Sequence, residues 1–360
     1  MKSAHSFSGR LPASNSYTVE SVLEGHPDKV CDQICDTILD AYLEQDDSSK
    51  VAVECLGTGD YLVVGGEVFS AGVVDIETVA RDTYKEIGYD TDLKVINKTN
   101  VQSEQMRQAV LVGAAGDQGV MYGYACDSDY NYLPYGVYVV NAIAKEIDML
   151  RKRSFLYLPD GKVQITVRDD CIDTLIISVQ HSRHTSIESL RELILNQAIA
   201  RILPIEEIGR VLFNHNSTFY NGGFSNDTGL SGRKIIADTY CGLVPHGGGS
   251  FSGKDPTKVD RSATYMARFV AKNVVANRIA RSCLVSVAYA FGLEDPVMLE
   301  VHTDNPTEDA HILGLVRASF DFRPRAIIER LGLTNVRYRK TATYGHFSDR
   351  TYNWERIVTI

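Results

Sequence analysis

The sequence has few cysteines and no pattern that pairs them. Its seven cysteines are an odd number, lie between Cys31 and Cys283, and include no Cys-x-x-Cys pair. A disulfide framework is typical of short secreted chains, so this usage favours free thiols in the reducing cytoplasm. Cys31 and Cys35 would share one face of a helix. Because no further ligand residues accompany them, we interpret them as small buried thiols.

Long apolar runs and an excess of positive charge are also absent. No run approaches the roughly 20 apolar residues that a membrane span needs. Residues 1–16 are rich in serine and lack the apolar core of a signal peptide, so we interpret them as a loose N-terminal extension. The net charge of -9 disfavours nucleic acid and membrane surfaces as partners. A site for an anion would therefore need a local cluster of cations.

The remaining composition is that of a soluble globular protein, since 44% of the 360 residues are hydrophobic and 23% are charged. Strand-like runs occur in neighbouring pairs with turn residues between them. These pairs are 51–56 with 61–68, 163–168 with 174–180, and 283–290 with 297–303. Helical periodicity alternates with the pairs. The predicted helices are 27–43, 75–87, 137–152, 186–202, 260–281 and 305–319.

Two helices accompany each strand pair, which predicts an α+β fold. We expect three structurally similar α+β domains in a pseudo-threefold arrangement, each with a mostly antiparallel sheet and helices on one face. The predicted domains are residues 1–111, 112–232 and 233–360. Glycine-dense stretches at 113–119, 222–232 and 247–253 fall near the predicted boundaries, so we expect these boundaries to have a functional role.

The segment 247–262 combines glycines with two lysines and the start of a helical pattern. Glycine lets backbone N–H groups approach an anion closely, and Lys254 and Lys258 add charge. Residues 248–254 satisfy Gly-x-x-x-x-Gly-Lys, but Asp255 replaces the Ser or Thr of a P-loop and no apolar strand precedes the first glycine. Pro256 is expected in the first helical turn. On this segment alone, a polyphosphate-binding element and an ordinary glycine-rich turn both stay open.

Further polar residues lie next to flexible backbone elsewhere in the chain. Pro27 would be the first residue of a helix, so His26 and Asp28 are either ligand-binding groups or a helix cap and a first-turn acid. The small-residue segment 113–119 would either touch a ligand or form a tight crossover between domains. The segment 222–234 pairs an acid with adjacent cations, and 159–162 alone is an ordinary turn.

Together these segments supply cations and carboxylates in equal number. The cations are Lys162, Arg233, Lys234, Lys254 and Lys258. The carboxylates are Asp28, Asp117, Asp160, Asp227 and Asp260. Arginine and lysine suit a phosphate chain, and a few Asp oxygens completed by substrate phosphates suit Mg²⁺. The sequence shows no Ser/His/Asp or Cys/His pattern for covalent catalysis.

As a set, three motifs resemble the signatures of the S-adenosylmethionine synthetase family. They are Gly-His-Pro-Asp-Lys at 25–29, Gly-Ala-Ala-Gly-Asp-Gln-Gly at 113–119, and Gly-Gly-Gly-Ser-Phe-Ser-Gly-Lys-Asp-Pro-Thr-Lys-Val-Asp at 247–260. The resemblance runs from about Tyr17 to Ile357, and residues 340–347 are similar to the C-terminal stretch of the family.

The resemblance implies a methionine adenosyltransferase of S-adenosylmethionine biosynthesis and one-carbon metabolism. In that family the methionine sulfur displaces triphosphate from C5′ of ATP, and the triphosphate is then hydrolysed to phosphate and pyrophosphate. The implied cofactors are two Mg²⁺ per site and K⁺. The implied assembly is a cytoplasmic homodimer with active sites between the subunits, which in many members pairs into a homotetramer.

The resemblance also assigns roles to individual residues. His26, Lys162, Arg233, Lys234, Lys254 and Lys258 match catalytic residues. The ATP-binding matches are His26, Asp117, Asp160, Lys162, Phe219, Asp227, Arg233, Lys234, Ser250 and Lys254. The methionine-binding matches are Glu67, Gln102, Asp227 and Lys258. Asp28 and Asp260 match Mg²⁺ ligands, and Glu54 matches the potassium-site glutamate.

The sequence departs from the family pattern in two places. Thr218 stands where the family has an arginine before the adenine-stacking aromatic, and residues 222–227 replace a Gly-Gly-Pro-x-Gly-Asp segment. Residues 102–106 differ from Gln-Ser-Pro-Asp-Ile, and the path from there to Asp117 is shorter. A relative that hydrolyses ATP or triphosphate, or adenosylates another sulfur compound, is therefore a second hypothesis. A catalytically silent subunit is a third.

Overall fold

The computed structural model describes residues 16–102, 113–215 and 218–360. Their strands are β1 (Ser16–Val22), β2 (Lys50–Thr58), β3 (Tyr61–Phe69), β4 (Lys94–Val101), β5 (Gly119–Cys126), β6 (Gly161–Arg168), β7 (Cys171–Val179), β8 (Arg210–Phe213), β9 (Gly229–Leu230), β10 (Ser282–Tyr289) and β11 (Met298–Thr303). Their α-helices are α1 (Pro27–Gln45), α2 (Ile76–Ile87), α3 (Tyr135–Ser154), α4 (Ile187–Gln197), α5 (Ile235–Asp238), α6 (Val259–Ala276), α7 (Asp309–Ser319) and α8 (Pro324–Leu331).

The predicted strand pairs form three antiparallel hairpins, β2–β3, β6–β7 and β10–β11. Arg168 pairs with Cys171, so the turn between β6 and β7 has only two residues. Both of them, Asp169 and Asp170, have positive φ. A two-residue turn with positive φ at both positions matches the right-handed twist of a hairpin. The turn residues in the sequence therefore predict this connection correctly.

Each hairpin receives a third strand from another part of the chain. β1 pairs antiparallel with β6, β5 with β10, and β9 with β2. In chain order the elements repeat as strand, helix, hairpin and helix. Each repeat thus gives its first strand to the sheet of the next repeat, and the third gives β9 to the sheet of the first. This closed exchange is the topology of the predicted pseudo-threefold α+β arrangement.

Two of the three sheets end in a parallel strand. The strand orders are β4-β3-β2-β9, β1-β6-β7-β8 and β11-β10-β5. β4 pairs parallel with β3, and β8 with β7. The sheets are therefore mostly antiparallel, as expected. They also cross the predicted domain boundaries at residues 111 and 232, because β1, β5 and β9 each join a sheet whose hairpin belongs to another predicted domain.

One long helix packs on each sheet. α1 packs on β2, α3 on β1 and β6, and α6 on β5 and β10. The apolar positions Val30, Ile34 and Ile38 of α1 are fully buried, together with the thiols Cys31 and Cys35. Burial of both thiols confirms their interpretation as core residues.

Several boundaries differ from the predictions. α6 begins at Val259 and ends at Ala276, so Pro256 lies before the helix and the predicted extension to 281 is wrong. The run 186–202 ends as an α-helix at Gln197 and continues as a 3₁₀ turn, and the helix predicted from 305 begins at Asp309. Ser16 belongs to β1. Among the described residues, no helix has the length and apolar character to cross a bilayer.

The contact between β5 and α6 provides a test of the fold. A Cβ atom at Gly123 of β5 would lie 2.0 Å from the carbonyl carbon of Ala267 on α6. We predict that Gly123→Ala lowers the free energy of unfolding by about 3 kcal/mol, because backbone on both sides must move. Urea unfolding followed by circular dichroism measures this change.

The matched control is Gly314→Ala in α7, where an added Cβ would meet no atom within 4 Å. Alanine has the higher helix propensity, so this variant should be as stable as the parent or more stable by about 0.5–1 kcal/mol. Equal stability of the two variants would contradict the close packing of β5 on α6.

Candidate active site

The N-terminus of α1 positions a histidine and a buried acid. His26 is the N-cap residue, and Pro27 is the first helical residue as predicted. The His26 Nδ1 atom accepts a hydrogen bond of 3.2 Å from the backbone N of Asp28. Because Nδ1 is an acceptor, the ring proton of the neutral imidazole is on Nε2. His26 therefore is a helix cap that also offers an N–H donor.

The imidazole of His26 is neutral at physiological pH. Burial and the positive charge of Lys234 together lower its pKa to about 4, against the opposing effect of Asp28. A neutral ring in a cationic surrounding donates a hydrogen bond without adding a formal charge.

Asp28 is fully buried and is bound by donors from the segment after β9. Its Oδ1 atom accepts hydrogen bonds from Leu230 N at 3.0 Å and from Arg233 Nε at 2.9 Å, and its Oδ2 atom lies 2.5 Å from Lys234 Nζ. Burial alone would raise the pKa of Asp28, but the hydrogen bonds from Lys234 and Leu230 outweigh this effect, so the pKa is lowered. The exchange of β9 into the sheet of β2 thus brings two distant cations to one carboxylate.

Further predicted residues surround a small cleft beside His26, with a volume of about 170 Å³. Asp160, Lys162, Phe219 and Asp227 line it together with His26. The Phe219 backbone is held by His181, whose Nε2 accepts a hydrogen bond of 3.3 Å from Phe219 N. We call His26, Asp28, Asp160, Lys162, Phe219, Asp227, Arg233 and Lys234 the first cluster. The structure thus brings together half of the predicted site residues.

Asp160 has an unusual environment within the first cluster. Only 3% of the residue is exposed, and its Oδ2 accepts a hydrogen bond of 2.8 Å from Gly223 N. Burial raises the pKa of its carboxyl to about 6, although that hydrogen bond acts in the opposite direction. Asp160 therefore changes charge close to neutral pH.

A second cluster forms at the end of the glycine-rich segment. Lys254 Nζ lies 2.6 Å from Asp260 Oδ2, and Lys258 Nζ lies 2.7 Å from Asp255 Oδ2. Gly249 packs against the Asp260 carboxylate, because a Cβ there would lie 2.1 Å from Oδ1. We call Lys254, Asp255, Lys258 and Asp260 the second cluster.

The two clusters are separate within one chain. Asp28 lies at the start of α1, whereas Gly253, next to Lys254, donates its backbone N–H to Asp36. Asp28 and Asp36 are eight positions apart along the helix, which corresponds to about 12 Å. Ser250 lies between the clusters, because a Cβ on Gly232 would meet its side chain at 2.5 Å. The predicted cations therefore do not converge on one point in a single chain.

The predicted residues Glu54 and Glu67 lie on the face of the sheet β4-β3-β2-β9 that is opposite α1. Glu67 pairs in register with Ala52, and Ala52 also forms a bridge with Lys254. Glu54 is exposed, and Gln102 is buried with its Oε1 atom unpaired among the described residues. Glu67 is therefore close to the second cluster rather than to the cleft beside His26.

Two further predicted features are Asp117 and the altered segment after Gln102. Asp117 is exposed, and its Oδ1 accepts a hydrogen bond from Gln118 N. It precedes Gly119, where a Cβ would lie 4.0 Å from Asp260 Oδ1, so Asp117 is near the second cluster along the chain. The altered segment 103–106 lies outside the described residues.

Sequence reasoning missed the acids that hold the site in place. Asp255 was considered only as a mismatch to the P-loop, yet it is fully buried and accepts a hydrogen bond of 2.7 Å from Val51 N. Asp36 forms a buried bidentate pair with Arg261 at 2.7 and 2.9 Å. Charged residues within an otherwise apolar helical run were the available signal, because such groups are seldom buried unless they are paired.

The described residues include no group of three or more His, Cys, Asp and Glu suited to enclosing a metal ion. Mg²⁺ often uses only one or two carboxylates and completes its shell with substrate phosphates and water. Asp28 and Asp260 supply one carboxylate in each cluster. Gly249 leaves space beside Asp260 that any side chain would fill. The donor set therefore fits Mg²⁺ bound together with a phosphate ligand.

Comparison with protein families identifies the class of this fold. Three models of S-adenosylmethionine synthetase domains match in order, namely the N-terminal domain over residues 14–109, the central domain over 112–221 and the C-terminal domain over 221–356. Together they account for nearly the whole chain. The chain belongs to the S-adenosylmethionine synthetase family, a family of methionine adenosyltransferases, as the motifs predicted.

The pKa of Asp160 gives a test of the cleft. Its value of about 6 in the folded chain exceeds the unfolded value of about 3.9. Protonation therefore stabilises the folded state at low pH, and this contribution is lost as the pH rises through the folded pKa. We compare the free energy of unfolding of Asp160→Asn with that of the parent at two pH values. We predict that the difference, variant minus parent, is about 1 kcal/mol larger at about pH 8 than at about pH 5.

Urea unfolding of both proteins at the two pH values measures this difference. Asparagine keeps an acceptor for Gly223 N, so the hydrogen bond is matched between the two proteins. The same stability difference at both pH values would contradict a raised pKa for Asp160.

Proposed function

We propose that this protein is an S-adenosylmethionine synthetase. It converts ATP, L-methionine and water to S-adenosyl-L-methionine, phosphate and pyrophosphate. The methionine sulfur attacks C5′ of ATP, the bond from C5′ to oxygen breaks, and the triphosphate leaves before its hydrolysis. The observation that carries this proposal is the pairing of each predicted cation with a carboxylate at the two clusters, within a chain of this family.

The inventory of residues suits such a displacement. A thioether sulfur already has a nucleophilic lone pair, so the reaction needs no general base. The leaving triphosphate is strongly anionic, and preorganised cations stabilise it in the transition state. Lys162, Arg233 and Lys234 surround the cleft of the first cluster, and the Nε2–H of His26 supplies a neutral donor for the oxygen that leaves C5′.

Phosphate oxygens would replace the carboxylates as partners of these cations. Arg233 and Lys234 are now held by Asp28, and Lys162 is paired with Glu20. Side chains held near their working positions lose less entropy when the ligand binds. The ion pairs therefore preorganise the binding groups before ATP arrives.

Phe219 lines the cleft, where it would stack on adenine. Glu67, Gln102, Asp227 and Lys258 would bind the amino and carboxylate groups of methionine. Asp28 and Asp260 would hold Mg²⁺, which supplies charge neutralisation for the polyphosphate. Glu54 would bind K⁺. Asp117 and Ser250 would complete the ATP site.

We further propose that the protein works as a homodimer with shared sites. The face of the sheet β4-β3-β2-β9 opposite α1 carries Leu56, Tyr61, Ile96 and Leu230, each between 37% and 45% exposed. An apolar patch on a sheet face is typical of an interface. We propose that the first cluster of one subunit meets the second cluster of its partner across a twofold axis at this face, which would join the two groups that one chain keeps apart.

The proposed reaction predicts that the products form in a fixed ratio and that kcat depends on Lys254. Purified protein with ATP, methionine, Mg²⁺ and K⁺ should release phosphate and pyrophosphate in step with S-adenosylmethionine. Lys254→Ala should lower kcat about 100-fold, on the order of 3 kcal/mol, because it removes a cation from the leaving group. Chromatographic quantification of the product measures both effects, and Lys85→Ala on the exposed end of α2 is the matched control.

Phosphate release from ATP without methionine, and without an adenosylated product, would contradict the synthetase and favour the hydrolase hypothesis. Formation of an adenosylated product only with another thioether would favour altered acceptor specificity. Absence of any product with the purified parent protein would favour a silent subunit, and unchanged activity in Lys254→Ala would favour a site elsewhere.

Shared sites predict recovery of activity on mixing two inactive variants. Arg233→Ala removes a cation from the first cluster, and Lys254→Ala removes one from the second. A mixed dimer of the two has one site with both changes and one intact site. Random exchange of subunits should therefore restore about a quarter of the parental activity.

The control is a mixture of Arg233→Ala with Lys162→Ala, two variants of the same cluster. Each site of that mixed dimer carries one change, so activity should stay low. Recovery in the control, or none in the test mixture after verified exchange, would contradict shared sites.

A further inference from the structure

A cavity apart from both clusters lies between α3 and the segment 340–352. Its volume is about 450 Å³. Tyr138, Asn141 and Lys145 line it from one face of α3, at helical spacings of three and four residues, and Lys340 and Tyr344 line it from the other side. The proposed reaction gives this cavity no role.

Asn141 lines the cavity and has a buried acceptor without a partner in the described part of the chain. It is only 1% exposed, and its Nδ2 donates a hydrogen bond of 3.0 Å to Val137 O. Its Oδ1 has no hydrogen-bond partner among the described residues. Gly345, at φ 83°, packs against the amide, since a Cβ there would lie 2.8 Å from Nδ2. A buried carbonyl oxygen favours a ligand that brings a hydroxyl or N–H donor.

The charges of the cavity favour an anion. Lys145 Nζ lies 3.5 Å from Asp349 Oδ2. The other oxygen of Asp349 accepts hydrogen bonds from Thr351 N at 3.0 Å and Thr351 Oγ1 at 2.7 Å. Asp349 is therefore occupied by its own turn and by one lysine. Lys340 is exposed, and no ion pair of the described residues involves it. Its positive charge is therefore available to a ligand in the cavity.

We propose that this cavity binds a small hydroxylated anion of the phosphate monoester class. Its anionic group would contact Lys340 and Lys145, and one of its hydroxyl groups would donate to Oδ1 of Asn141.

The cavity connects to the start of α1 through buried hydrogen bonds. Tyr344 forms part of its wall, and the Tyr344 hydroxyl donates to Asp148 Oδ2 at 2.9 Å. The same oxygen accepts a hydrogen bond of 2.9 Å from Glu24 N. Glu24 also forms ion pairs with Arg151 and Lys152 and lies two residues before His26. These contacts link the wall of the cavity to the segment that carries His26, so a ligand that restrains Tyr344 would also restrain that segment.

Isothermal titration calorimetry with sn-glycerol 3-phosphate tests the site. We expect Lys340→Ala to weaken binding about tenfold, whereas Lys85→Ala should not change it, because Lys340 would contact the anion and Lys85 lies outside the cavity. Inorganic phosphate, which offers no carbon-borne hydroxyl, should bind about tenfold more weakly than glycerol 3-phosphate. Both probes would be titrated into Lys254→Ala as well, so that binding at the proposed active site is recognised by its dependence on that lysine.

Equal affinities of Lys340→Ala and the parent would overturn the site. Equal affinities of the two probes would overturn the hydroxyl contact with Asn141. The connection to α1 is tested by hydrogen–deuterium exchange of residues 23–30. Glycerol 3-phosphate should slow this exchange in the parent and not in Tyr344→Phe, which keeps the lysines. Equal slowing in both proteins would overturn the connection, and neither result depends on the proposed catalytic activity.

Discussion

The pairing of cations with carboxylates at the two clusters is the interaction on which the account depends. A lysine or arginine without a partner would repel its neighbours, and a buried carboxylate such as Asp28 would be costly without one. In the unliganded chain, each cation and its carboxylate neutralise each other. The fold serves this arrangement, because the exchange of β9 into the sheet of β2 delivers Arg233 and Lys234 to the acid at the start of α1.

The same ion pairs would suit the proposed site to a polyphosphate rather than to a neutral ligand. The carboxylates hold the cations in a narrow range of positions, and they are also the natural ligands of the Mg²⁺ that accompanies nucleotides. When a magnesium-bound triphosphate binds, the cations would pair with phosphate oxygens and the carboxylates with Mg²⁺. No charge would then be left unpaired. The neutral His26 adds a donor where a further positive charge would meet Lys234, Lys162 and Lys29, and burial together with these lysines lowers its pKa.

Much of this could be predicted from the sequence. Alternating patterns and turn residues predicted the three hairpins, and the motifs predicted the family and the cluster around His26. The strand exchange was not predicted, because β9 has only two residues and pairing between distant segments leaves no local pattern. The separation of Lys254 from Arg233 was missed for the same reason. Asp36 and Asp255 were missed because a buried ion pair is defined by its distant partner, which spacing along the chain does not show.

The most direct test is an experimental structure of the protein with Mg²⁺ and a non-hydrolysable ATP analogue. The account predicts a dimer in which the phosphates contact Lys162, Arg233 and Lys234 of one subunit and Lys254 of the partner subunit, with Asp28 freed from at least one of its cations. Phosphates bound away from these side chains, with the pairs of Asp28 and Asp260 intact, would contradict it.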